Sequence, residues 1–251
     1  MNFAHLNAAL SESATEWGVS TRLARWIFWI PPVGAIAMAA ARVNKHLFRL
    51  LLADDGVVEW AQFVLFVLAC LAATGVATRL FALRKTWQGL SYAAFAFALF
   101  FISGEEIAWG QRLLGLTTPD RLSNINAQHE ITVHNIGRIQ DASNIAMLLG
   151  SGLAIVVFML SKQMRFERYS EHANHLFVPP LFLLPALFLV FLYKVVRFTV
   201  WPEPGFTITK YAEWIEFCLA LVFCVVASLN FRRLTLDSRP TPENTVVTTV
   251  H

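Results

Sequence analysis

The sequence predicts an all-α fold: a polytopic membrane helix bundle of about six transmembrane helices, with a structured loop between spans three and four. Three observations carry this. Apolar residues make up 56% of the 251-residue chain and charged residues 15%, whereas soluble domains sit nearer a quarter charged. Six stretches approach the roughly 20 mostly apolar residues that a crossing needs. Eight Trp and 21 Phe suit lipid-facing surfaces with interfacial anchors. The net charge of +3 is too small and too evenly spread for a nucleic-acid partner. Cys70, Cys218 and Cys224 fall inside apolar runs and form neither a disulfide framework nor a metal pattern. The opening residues lack the basic-then-apolar order of a cleavable signal peptide.

The first span is expected over residues 24–41, where Pro31 and Pro32 imply a kink that membranes tolerate when neighbours satisfy the freed carbonyls. The second covers 57–78. The third covers 87–103 and continues toward Trp109; its Ala93, Ala94, Ala96 and Ala98 permit close helix packing. The fourth covers 142–160, the fifth 176–193 with Pro179, Pro180 and Pro185, and the sixth 211–229. Residues 1–235 thus read as one transmembrane domain, and the polar stretch 236–251 as a disordered tail. The second and fourth loops are short and dense in Lys and Arg (Arg79, Arg84, Lys85; Lys162, Arg165, Arg168), which places both termini in the cytoplasm. Glu59-Trp60-Ala61-Gln62-Phe63 and Glu213-Trp214-Ile215-Glu216-Phe217 open spans two and six alike, an echo too short to establish a duplication.

The longest polar segment joins spans three and four, and loops of this length in a compact protein are functional or disordered. Recurrent Ile, Leu, Trp and Val argue for structure. Thr118-Pro119-Asp120 reads as a helix start with Thr as N-cap, and residues 128–138 as a further short helix with Glu130 and His134 on one face. Glu105 and Glu106 end the third span. Carboxylates there are costly unless they reach water, a cation or a partner, so one of the two faces the bundle, or both snorkel beside Arg112.

Ends of odd spans and starts of even spans share one face of the membrane. That face receives Asp54, Asp55 and Glu59, then Glu105 and Glu106, then His129, Glu130, His134 and Asp141, then Lys194 and Arg197, and finally Glu213 and Glu216. Two chemistries follow from such a convergence. Glu59, Glu106, His129, Glu130, His134, Glu213 and Glu216 are candidate ligands for zinc, iron or manganese, leaving an open position to activate water. Without a metal, Glu105, Glu106, Glu130 and His134 are candidate acids and bases. Gln111, Arg112, Gln128 and Asn135 are placed to orient a substrate. Lys210 and Glu213, at i and i+3, are expected to pair. Lys194 and Arg197 are expected to snorkel. Arg42, Lys45, His46 and Arg49 read as an interfacial basic stretch, His172 and His175 as solvated, and Trp26, Trp29, Trp87 and Trp201 as an aromatic belt.

The strings Gly104-Glu105-Glu106-Ile107-Ala108-Trp109-Gly110-Gln111-Arg112, Asn126-Ala127-Gln128-His129-Glu130 and His134-Asn135 resemble a group of uncharacterised bacterial polytopic membrane proteins. Members carry GEEIxWGQR, then NxQxExxxHN, with an Asp-Gly-x-x-Glu-Trp opening like Asp55–Trp60. The resemblance covers about residues 54–135. It implies a multi-pass protein of the bacterial inner membrane and attaches no activity. Alkaline-ceramidase-like hydrolases hold zinc with histidines; here only His129 and His134 are well placed, and carboxylates dominate. Three functions are compatible with the residues. One is an enzyme, with zinc or iron or without a metal, acting at the outer face on a membrane lipid or lipid-linked envelope substrate. The second is a non-catalytic accessory or assembly subunit of a homo-oligomer or larger membrane complex. The third is a transporter or proton pathway.

Overall fold

In the computed structural model, residues 3–126, 128–163, 176–201 and 205–237 are described. Among them, six helical segments are long and apolar enough to cross a membrane: Thr21–Ala41, Lys45–Ala82, Thr86–Glu106, Gly137–Lys162, Leu181–Thr199 and Phe206–Leu236. An amphipathic helix, α1 (Phe3–Glu16), precedes them and was not foreseen. It buries Leu10, Ser13 and Ala14, and the Ser13 hydroxyl accepts from the Leu181 N–H (3.3 Å). Helix α2 (Thr21–Ala41) starts where Ser20 Oγ accepts from the Leu23 N–H (3.2 Å), a side-chain N-cap. Pro31 and Pro32 lie inside it.

The basic stretch after the first span folds as a short helix, α3 (Lys45–Leu52), capped by Asn44 Oδ1 from His46 and Leu47 N–H. It buries Phe48 and Leu52 and leaves Leu47 and Leu50 exposed, the arrangement of a helix lying at an interface. Helix α4 (Val57–Ala82) and α5 (Thr86–Glu106) form a tight hairpin. After α5 the chain passes through a 3-10 turn (Ala108–Gly110), then short helices α6 (Gln111–Leu114) and α7 (Asp120–Ser123). Helices α8 (Gly137–Gln163), α9 (Leu184–Thr199) and α10 (Phe206–Asp237) complete the bundle. The fifth helix starts later than residue 176, because Pro179 and Pro180 hold the chain extended and a 3-10 turn (Leu181–Leu183) leads into it. The sixth runs longer than expected, to Asp237, into the first residues of the expected tail. Residues 238–251, and the loop with Arg165, Arg168, His172 and His175, lie outside the described residues.

Helix α10 is the keel. It packs along α4 on one side and against α9 and α2 on the other, so the bundle has two apolar clusters that share it. One joins α1, α2, α3 and α9 through Leu10, Ile27, Phe48, Phe182, Val190 and Ile215. The other joins α4 and α5 through Phe66, Ala73, Leu80, Ala96 and Leu99. Small residues let helices come close: a Cβ on Gly75 would lie 2.5 Å from the Phe231 ring. A buried polar knot crosses the second cluster. Tyr92 OH donates to the Leu176 carbonyl (3.0 Å), and Asn230 Nδ2 donates to both (2.6 and 3.1 Å), so each polar group finds a partner in an apolar setting. By contrast, among the described residues α5 and α8 share no extensive contact, and α8 leans on α9. A cleft remains between the α4–α5 hairpin and the α8–α9 pair, with α10 as its floor.

Candidate functional site

The site begins with the fold-back at the end of α5. Ala108, Trp109 and Gly110 have φ of 45°, 54° and 76°. A non-glycine residue in this region stores on the order of 1–3 kcal/mol. The turn lays the Trp109 indole over Gly104, where a Cβ would come within 2.7 Å of the ring. Trp109 Nε1 then donates to Glu105 Oε1 (2.6 Å). The GEEIAWG string is thus a built corner: Gly104 leaves room, Trp109 folds back, and Gly110 accepts the left-handed backbone.

Glu105 is the bracket of that corner. Its second oxygen accepts from the Val133 N–H (2.7 Å) and the His134 N–H (2.9 Å), and lies 3.1 Å from His134 Nδ1. Burial pushes the His134 pKa down, but the hydrogen bond to Glu105 and the nearby charges of Glu216, Glu105 and Glu130 outweigh it. The net result is a value above the ordinary 6.5. Glu105 and His134 therefore form a charge-assisted clamp that docks residues 131–136 on α5.

The other motif residues build the same loop. Gln111 Nε2 donates to Thr118 Oγ1 (2.7 Å) and its Oε1 accepts from the Ile131 N–H (2.6 Å). Asn126 Nδ2 donates to the Thr132 carbonyl (2.6 Å) and Oγ1 (2.9 Å), and its Oδ1 accepts from the Gln128 N–H (2.8 Å). Asn135 Nδ2 donates to Gln128 Oε1 (2.8 Å). Gln111 and Asn135, expected to orient a substrate, spend these groups on the loop's own architecture. The Arg112 side chain and Ala127 lie outside the described residues. Residues 128–136 are turns, not the expected helix, because Asn126 and Glu105 bind their N–H groups individually. Thr118 is not an N-cap either: Pro119 occupies that position, and Thr118 Oγ1 donates to the His129 carbonyl.

Beneath this roof lies a cavity of about 790 Å³ that gathers Glu59 from α4, Glu106 from α5, Glu213 and Glu216 from α10, Glu130 and His134 from the loop, and Lys194 from α9. Glu106 is the inward-facing member of its pair, within electrostatic range of Glu216, Glu213, Glu59 and Glu105. Lys210 forms ion pairs with Asp54 and with Glu213 (3.8 Å), the expected i, i+3 pair. Lys194 does not snorkel. It is 3% exposed and donates to Asn144 Oδ1 (2.6 Å), because α9 continues to Thr199 and leaves Lys194 more than a turn inside the bundle. Gln62 also went unforeseen. Fully buried, it donates to the Glu213 carbonyl (2.7 Å) and Oε2 (3.3 Å), while its own Oε1 has no partner among the described residues. The signal for Gln62 was its position three residues after Glu59 in an otherwise apolar run.

The expected metal set is divided. Glu59, Glu106, Glu130, Glu213, Glu216 and His134 line the cavity, but His129 does not: its Nδ1 engages Ser123 (2.8 Å to the carbonyl) on the exposed side of the loop. Nδ1 of His134 is committed to Glu105. Among the described residues, no three His, Cys, Asp or Glu side chains are grouped to hold a metal ion together. Away from the carboxylates the cavity is apolar, lined by Phe66, Phe95, Ile102, Met147, Leu187 and Phe223. The chain is a multi-pass helical protein by its six spanning helices, and no protein-family model, curated protein or solved structure matches it.

Proposed function

We propose that this cavity is the active site of a membrane-embedded enzyme acting on a lipid or lipid-linked envelope substrate. The observation that carries the reading is one cavity with two ends: carboxylates from three different helices and a buried lysine at one, aromatic and aliphatic side chains at the other. An amphiphile is the ligand complementary to both. A volume of about 790 Å³ falls within the range of roughly 300–1,000 Å³ typical of ligand sites. Glu106 serves as the acid/base, with Glu216 and Glu213 as proton partners, and Lys194 orients a negatively charged group of the substrate. Glu105 and His134 are positioning residues that hold the roof. The corresponding compartment is a bacterial inner membrane with the loop on its outer face.

The test is turnover of membrane lipids by the purified, reconstituted protein, followed by mass spectrometry. Loss of product by at least tenfold in Glu106→Gln, with the melting temperature unchanged, supports the reading. Absence of any lipid change in the wild-type protein overturns it. Stoichiometric zinc or iron that disappears in Glu106→Ala and Glu216→Ala would reassign the cluster to a metal.

A second reading, an accessory subunit, is favoured by one observation: the loop leaves Leu113, Leu114, Leu116 and Ile125 exposed, an apolar patch suited to a membrane surface or a partner. A partner chain that co-purifies and is released by Leu113→Ser with Leu114→Ser would support it. A proton pathway is less well served, because the apolar half of the cavity carries Ser91, Tyr92 and Ser151 but no carboxylate.

A further inference from the structure

Helices α5 and α8 both line the cavity yet share no extensive contact among the described residues. Lining residues run from Ser91 to Glu106 on α5 and from Ile139 to Ala154 on α8, which at about 1.5 Å per residue is a slot about 22 Å long. Phe101 and Ile102 line it on one side and Ala146, Met147 and Gly150 on the other. Gly150 has open space: a Cβ built there meets nothing within 4 Å. A slot of this length between two spanning helices would lie at the depth of the bilayer hydrocarbon, about 30 Å thick. The loop roofs its polar end through the Glu105 bracket, so among the described residues the lateral route is the one left for a long hydrocarbon chain.

The charges at the polar end select the headgroup. Seven carboxylates line the cavity against three Lys and Arg side chains. Lys210 is held by Asp54 and Glu213, and Glu105 by His134. Glu59 accepts from the Asp55 N–H, and Glu106 and Glu216 stand with Glu59 and Glu130 in an acid-rich pocket that calls for a cation with N–H donors. Lys194, in electrostatic range of Glu216, gives one N–H to Asn144 and has two more for an anion. Arg197 lines the cavity one turn on. Ammonium and phosphate in one headgroup match this pairing of acid and base.

We infer that the slot between α5 and α8 is a lateral portal through which a bilayer phospholipid with a primary-amine, ethanolamine-type headgroup enters, its ammonium on Glu106 and Glu216 and its phosphate on Lys194 and Arg197. This rests on the lipid-site reading above and adds the route and the headgroup. The test uses the full chain in vesicles carrying phosphatidylethanolamine with a photoreactive acyl chain, with phosphatidylglycerol and phosphatidylcholine versions as comparisons. Cross-links are expected on α5 and α8 peptides. The ethanolamine lipid should label at least fivefold more than either comparison, since choline lacks N–H donors and glycerol lacks the charge. Gly150→Trp, which fills open space, should keep the wild-type melting temperature and lose at least fivefold of the labelling. Glu106→Gln with Glu216→Gln should remove the headgroup preference while chain labelling persists. Equal labelling of all three lipids, or undiminished labelling of Gly150→Trp, overturns the inference. Turnover of another lipid that depends on Glu106 would then leave the enzyme reading standing. Conversely, selective labelling without turnover would keep the portal and sink the enzyme.

Discussion

Glu105 and Glu106 are neighbours with different occupations, and their difference is angular. Successive residues diverge by about 100° on a helix, so Glu105, at the cavity's roof, is engaged by the loop, whereas Glu106 faces the carboxylates of α4 and α10. The sequence places the pair at a costly depth, but which carboxylate does which depends on where residues 131–136 return, a long-range contact. The clamp has a measurable pH signature. His134 is raised above 6.5 in the fold, so protonated His134 contributes stability that is fully present below about pH 6.5 and is lost as pH rises through its higher folded value. The melting temperature of the wild-type protein should therefore fall across that window, and the fall should be flattened in His134→Asn. Glu105→Ala removes an acceptor of four N–H groups and should cost on the order of 3 kcal/mol, read from denaturation in detergent. A flat wild-type profile would remove the clamp.

At the scale of elements, residue composition announced the spans, whereas their packing depends on particular close approaches. Gly34 on α2 faces the Trp214 ring, where an added Cβ would lie 1.9 Å away; Trp214 Nε1 also donates to the Pro31 carbonyl (3.2 Å). Gly34→Ala must push the α2–α10 contact apart and should destabilise the bundle by about 3 kcal/mol; a wild-type melting temperature in this variant would contradict the packing. Helix α1 was invisible in the sequence because it is too polar and short for a span. It is fastened by tertiary contacts: Arg233 lies 3.9 Å over the Trp17 ring, and Arg232 donates to the Gly18 carbonyl. The short helix expected at 128–138 shows the converse. Glu130 and His134 had helical spacing, but side chains of Asn126 and Glu105 offered the backbone stronger local partners.

For the whole molecule, six crossings put α1 and the end of α10 on one side and the loop after α5 on the other. Single cysteines replacing Glu12 and Asn124, in a background lacking Cys70, Cys218 and Cys224, should react with impermeant maleimide from opposite sides of sealed vesicles. Labelling of both from one side would remove a span. The alternation of spans also explains why the acidic residues could be assigned to one face without coordinates: connectivity alone carries chain ends and starts to shared sides. Whether residues on one face meet is a different matter. Glu59, Glu106, Glu213 and Glu216 do meet in one cavity, whereas His129 sits outside it on Ser123.

Hydropathy and length by themselves determined the helical class and the number of crossings, because a bilayer admits few ways of satisfying the backbone. Tertiary structure alone decided that α5 and α8 stand apart, that Lys194 points inward and that the GEEIAWGQR and QHEITVHN strings largely build a roof. Each of these depends on which helices share an interface, and that is settled by contacts such as Gly34 on Trp214 and Gly75 on Phe231 between residues far apart in the chain.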